Sequence, residues 1–142
     1  MAGGYSMLQE GKRYPNHTIR QSTPAGTLFV TIVEDNNRPI ALFINGAKTG
    51  TELYSFCDSI SRLGTEILER NVDGLPRLLE HLSSMTSDRL IRGTDGVECR
   101  SGVEGVYLAL LTYQRVKMQE ITSTLFKGGS YRPAKLNHKR SA

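Results

Sequence analysis

TLFVTIVEDNNRPIALFINGAKTGTELYSFCDSISRLGTEIL, residues 27–68, carries two patterns in succession. Its first part holds two short runs rich in β-branched and aromatic residues, 27–33 and 39–44, separated by the turn-rich Glu34-Asp35-Asn36-Asn37-Arg38. Such runs favour extended backbone and the polar cluster between them favours reversal, so a β-hairpin is expected. The period then changes. Leu53, Phe56, Cys57, Ile60, Leu63, Gly64, Ile67 and Leu68 recur at three- and four-residue steps, which places them on one face of a helix of about five turns. Thr49 and Glu52 have the T-x-x-E spacing of a capping box, which sets the helix start in the NGAKTGTE segment.

Working outward, residues 18–23 read as a further strand closed by Pro24-Ala25-Gly26. On the other side a second helix is expected, with Asp73 as its cap, Pro76 tolerated in the first turn, and Leu75, Leu78, Leu79 and Leu82 facing inward. Residues 88–96 read as irregular or extended. Ser101 and Glu104 repeat the capping-box spacing and open a last helix with the stripe Val103, Val106, Tyr107, Leu110, Leu111, Met118, Ile121 and Leu125. About 24 helical residues span roughly 36 Å, more than the radius of so small a domain, so its second half is expected to pack on another subunit. The organisation is thus an N-terminal arm (1–17), one folded domain (18–127) and a basic C-terminal tail (128–142). The fold class is α+β: an N-terminal antiparallel hairpin or small sheet packed on helices, with the long last helix used in oligomerisation.

The chain has 142 residues, 38% hydrophobic and 23% charged, which is one ordinary globular core. Eighteen Lys+Arg against 14 Asp+Glu give +4, compatible with an anionic ligand but too small an excess to require DNA or RNA. No run approaches the roughly 18 apolar residues of a membrane helix, and the first residues hold no hydrophobic signal core. A cytoplasmic location without membrane attachment is expected. Two cysteines and three scattered histidines offer no metal-ligand spacing, so no metal or other cofactor is expected.

The chemistry-bearing candidates are few. Asn45-Gly46-Ala47-Lys48-Thr49-Gly50-Thr51 is a glycine-bearing loop running into a helix start, where backbone N–H groups and the positive dipole end attract phosphate. Lys48 adds charge, Thr49 and Thr51 add hydroxyls, and Gly50 frees the backbone. The loop is not a Walker A sequence, since its lysine precedes the second glycine. A plain turn and cap explains the same residues. Arg92, Arg100, Arg115 and Arg132 are suited to forked phosphate contacts, although surface arginines are ordinary. Arg62, bordering the apolar face of the first helix, reads as an intramolecular salt-bridge partner. Tyr107 reads as core, whereas Tyr131, beside Arg132 in the tail, is placed to stack on a purine. Cys57 lies on the buried helical face, His81 is an isolated histidine, and no nucleophile motif or carboxylate pair stands out. A non-catalytic protein is expected.

The order of these motifs resembles the TSCPD domain found at the C-terminal end of adenosylcobalamin-dependent ribonucleotide reductases. The likeness covers residues 18–111 and rests on T-x-x-G-x-L/F-x-V-T at 23–31, G-x-K-x-G at 46–50, Arg62-Leu63 and Ile91-Arg92. Reductase versions typically carry cysteines where this chain has Ala25, Thr51, Gly93 and Cys99. One thiol of four remains, which removes the basis for a redox or metal role. A free-standing chain of this type and size is also similar to the phage Thoeris anti-defence proteins, small oligomers that sequester nucleotide immune signals. That resemblance implies non-catalytic binding of cyclic ADP-ribose-type or cyclic oligonucleotide signals by a homo-oligomer in the host cytoplasm. The alternative is a detached accessory module that docks on a separate reductase chain.

Overall fold

The computed structural model describes residues 8–48, 50–84, 99 and 101–125. Three antiparallel strands, β1 (Asn16–Thr23), β2 (Gly26–Asp35) and β3 (Arg38–Asn45), lie in the order β1-β2-β3 and are followed by α1 (Glu52–Arg70), α2 (Gly74–Ser83) and α3 (Gly102–Leu125). The fold is α+β, a small sheet covered by helices. The expected extra strand is β1, extended at its start to Asn16. The hairpin between β2 and β3 is tighter than the 34–38 cluster suggests. Asn36 and Asn37 alone turn the chain, at φ 54° and 63°, the left-handed pair that a two-residue hairpin requires and that asparagine tolerates. Glu34, Asp35 and Arg38 consequently belong to the strands.

Alternation sorts β2 onto two faces. Leu28, Val30 and Ile32 are fully buried beneath the helices. Val33 faces the other way and joins Ile40 and Ala41 in a smaller cluster that Leu8, Tyr14 and Phe43 flank. The main core adds Leu42, Cys57, Leu68, Leu78, Leu79, Leu82, Val106, Ala109, Leu110 and Tyr113.

Helix α1 meets the sheet differently from its apolar pattern. Its buried positions are Cys57, Ser61, Gly64, Thr65 and Leu68, while Phe56 and Leu63 are exposed. The reason is the unpaired edge of β3. The amide of Leu42 donates to Thr65 Oγ1 (2.9 Å) and that of Ile44 to Ser61 Oγ (3.1 Å), so two hydroxyls on the helix take the place of a fourth strand. Arg38, at the start of β3, donates through Nη2 to the carbonyls of Leu68 (2.9 Å) and Glu69 (2.8 Å), satisfying the negative C-terminal end of α1.

Helix α2 starts after Asp73 as expected, but the aspartate does not cap it with its side chain. Its carboxylate instead accepts from Arg77 Nε (2.9 Å), and this bond holds the Asp73 carboxyl below the usual range. Helix α3 opens on Ser101, whose Oγ accepts from the amide of Glu104 (3.1 Å), the expected cap. Its buried face is Gly105, Val106, Ala109, Leu110 and Tyr113, confined to the first half. In the second half Met118, Ile121 and Leu125 are 58%, 52% and 76% exposed. The expected stripe thus divides into a part seated on the sheet and a part left bare.

Candidate functional site

The loop from β3 to α1 is shaped by two glycines. Gly46 sits at φ +115°, and a Cβ there would lie 2.5 Å from the Thr27 carbonyl oxygen, so only glycine lets the chain turn this close to β2. Gly50 sits at φ +88°. Thr51 is the N-cap: Oγ1 accepts from the amide of Tyr54 (3.1 Å) and donates to the Lys48 carbonyl (2.6 Å). The helix therefore begins one residue after Thr51, and the cap that the T-x-x-E spacing assigned to Thr49 belongs to Thr51. An N-cap residue keeps extended backbone while its hydroxyl accepts from the amide two or three residues on, and Thr51, at φ −93° and ψ 162° with its bond from Tyr54, meets both conditions. The Thr51 hydroxyl hydrogen is thus already given to the loop. Lys48 is exposed. Glu52 in the first turn opposes an anion there, so Lys48 is the loop's cationic group.

Beside this loop lies a cavity of about 160 Å³ between the end of β3 and the first turns of α1. Asn45, Gly46 and Ala47 form one wall, and Tyr54, Asp58 and Ser61 form the other. Positions 54, 58 and 61 follow one stripe of α1, so the helix presents a phenol, a carboxylate and a hydroxyl in a row. Tyr54 is part exposed at 42%. Asp58 Oδ2 accepts from Arg62 Nε (3.1 Å), the intramolecular pair expected for Arg62, although this arginine lies at the surface. Tyr54 and Asp58 escaped the sequence reading, and Asn45 entered it only as the first residue of the glycine-bearing loop. The i, i+4 spacing of Tyr54 and Asp58 downstream of the glycine loop was the available signal.

Of the other site candidates, Arg115 is exposed on α3, donates to Thr112 Oγ1 on its own helix (3.5 Å), and does not line the cavity. Thr49, Arg92, Arg100, Tyr131 and Arg132 lie outside the described residues. So does Gly93, one of the four positions at which the reductase resemblance places a cysteine. The other three are Ala25 in the β1–β2 turn, Thr51 at the α1 cap, and Cys99, buried, with its thiol donating to the Ser101 carbonyl (3.2 Å). Packing brings these regions together, because Gly102 at the start of α3 abuts Leu53 of α1 and Gly105 abuts Thr23 of β1. Burial pushes the Cys57 thiol above its ordinary pKa, which makes it a poor nucleophile. Among the described residues no three His, Cys, Asp or Glu side chains converge as a metal group. No described helix is long and apolar enough to cross a membrane.

A second polar cluster is buried. Glu34 continues the 28–30–32 alternation onto the helix-covered face, where its carboxylate accepts from Tyr113 Oη and pairs with Lys117 Nζ (3.1 Å) and His17 Nε2 (3.3 Å). Burial first, and then the bond to Glu34, push the Tyr113 phenol well above its ordinary pKa. Desolvation works against the Lys117 ammonium, but its bonds to Glu34 and Glu120 outweigh that and raise its pKa. With Tyr113 and Lys117 donating to it and the His17 ring against it, this carboxylate, sealed from solvent, ties α3 to β2 and leaves no oxygen open to a substrate.

No curated protein and no solved structure significantly matches this chain. The sequence model of the TSCPD domain matches residues 5–114, which takes in the whole sheet, α1, α2 and the first half of α3. The chain therefore belongs to the TSCPD domain family.

Proposed function

We propose that this protein binds a phosphate-bearing nucleotide signal, of the cyclic ADP-ribose or cyclic oligonucleotide class, and holds it without chemical change, as an anti-defence sponge of the kind made by phages. The observation that supports this reading is the polar cavity set directly against the Lys48 loop, which offers a cation for phosphate beside a phenol and a carboxylate for the rest of a nucleotide. A binding role without catalysis fits a Glu34 carboxylate locked in a structural network and cysteine positions reduced to one buried thiol. The bare second half of α3, with Met118, Ile121 and Leu125 in solvent, suits a homo-oligomer held together by that helix.

Sequestration requires tight binding at near-stoichiometric protein, a Kd in the nanomolar range or roughly −12 kcal/mol. The test is capture and release: incubate the purified protein with candidate signals, remove free compound, denature by heat, and identify what comes off by mass spectrometry. Release of an intact nucleotide supports the proposal. A chemically altered product means catalysis. An empty protein that co-purifies with a reductase subunit means the accessory role.

A further inference from the structure

We propose that the cavity between the end of β3 and the first turns of α1 is a base subsite for an amino-bearing purine, stacked on Tyr54 with its exocyclic amine donating to Asp58. This inference rests on the nucleotide reading and adds to it which part of the ligand lies where. At about 160 Å³ the cavity is well below the roughly 300–1,000 Å³ of sites that enclose a whole drug-sized ligand, so it takes one moiety. Its chemistry selects the base rather than the phosphate. Asp58 repels an anion, and as an ionised carboxylate it only accepts, so its partner must carry N–H or O–H groups. Arg62 Nε uses Oδ2, and the carboxylate keeps acceptor capacity at Oδ1. Tyr54, one helical turn nearer the loop and partly exposed, gives the ring face that a purine stacks on.

The spacing agrees. From Thr51, where the loop ends, to Asp58 the helix rises about 10 Å, comparable with the length of a nucleoside monophosphate from phosphate to the far edge of its base. A phosphate at the loop end of α1, with Lys48 as the nearby cation, and an amine at Asp58 then bracket one nucleotide. Gly46, pressed against the Thr27 carbonyl, fixes the backbone wall opposite Tyr54.

The test is an NMR titration of the full chain with AMP and with purine riboside monophosphate, which lacks the 6-amino group and gains no ring N–H in its place. AMP is expected to shift the amides of Asn45, Ala47, Tyr54 and Asp58, and to bind about tenfold more tightly than purine riboside monophosphate, the usual size of one charge-assisted hydrogen bond. Asp58→Ala is expected to abolish that preference and Tyr54→Ala to weaken both nucleotides, each with unchanged far-UV circular dichroism. Arg62→Ala breaks the same surface pair while keeping the carboxylate, and is expected to retain the preference. AMP shifts confined to another part of the chain, or equal affinity for AMP and purine riboside monophosphate, would overturn the subsite while leaving nucleotide binding in place. No shift with either compound overturns the subsite, and only a failed capture experiment with cyclic signals removes the broader reading as well.

Discussion

Tyr113 on α3 donates its phenol hydrogen to Glu34 on β2, 79 residues earlier, and the two side chains are sealed from solvent together. Lys117 and His17 close the same carboxylate, and the His17 ring meets Tyr113 edge-on at 5.3 Å between centroids. This contact fixes where the first half of α3 ends on the sheet and where the bare half begins. Tyr113→Phe removes one donor from a buried carboxylate and is expected to cost about 1.5–3 kcal/mol in urea unfolding. A cost below the error of the measurement would mean that Lys117 and His17 hold Glu34 unaided.

The raised pKa of Tyr113 carries a definite alkaline signature. The folded state keeps the phenol protonated where the unfolded chain, with an ordinary tyrosine near pH 10, releases the proton. Above that pH the native state binds more protons than the unfolded one, so stability falls as pH rises. Lys117, also raised, acts in the same direction. The urea midpoint is expected to start falling near pH 9, where the unfolded Cys57 thiol releases its proton, to fall more steeply above about pH 10, and to do so less steeply there in Tyr113→Phe, where the Cys57 and Lys117 contributions remain. Parallel slopes in the two proteins would contradict this assignment.

The covered edge of β3 predicts a cost for an apolar substitution of matched shape. Thr65→Val keeps the volume on α1 but leaves the Leu42 amide buried without its acceptor, a loss of about 1–3 kcal/mol by thermal or urea unfolding. A neutral result would mean that the helix covers the edge by packing alone.

The reassigned helix cap can be read from two alanine variants. Thr51→Ala is expected to cost about 1 kcal/mol, the usual value of a lost N-cap, and Thr51→Ser to retain most of the stability. Thr49→Ala is expected to cost clearly less in the same thermal scan.

These corrections show how far local pattern reaches. The 3.6-residue period located α1, α2 and α3, and the β-branched runs located β2 and β3, because each element's own apolar face dictates its backbone. What local pattern could not carry was the partner of each face. Ser61 and Thr65 look like breaks in the α1 stripe, yet they are inside because the β3 edge needs acceptors. Glu34 looks like a turn residue, yet it is buried because Tyr113 and Lys117 arrive from far along the chain. The loop at Lys48 was legible from its glycines and its lysine. The cavity beside it was not, since it exists only once the end of β3 is packed against Tyr54 and Asp58.

The exposed half of α3 makes a separate prediction about assembly. Ile121→Glu places a charge among Met118, Ile121 and Leu125 and is expected to reduce the mass measured by analytical ultracentrifugation or light scattering to that of a single chain, with the fold intact. A wild-type protein that is monomeric at all concentrations would remove the oligomer from the account.

Isothermal titration calorimetry reads capture of a nucleotide signal by the Lys48 loop and its cavity in a single step. Titrated with cyclic ADP-ribose-derived compounds and cyclic di- and trinucleotides, the protein is expected to bind at least one with a Kd near the nanomolar range, and Lys48→Ala to bind it about tenfold more weakly, a difference of about 1.4 kcal/mol. The absence of heat with every member of that panel would contradict such capture.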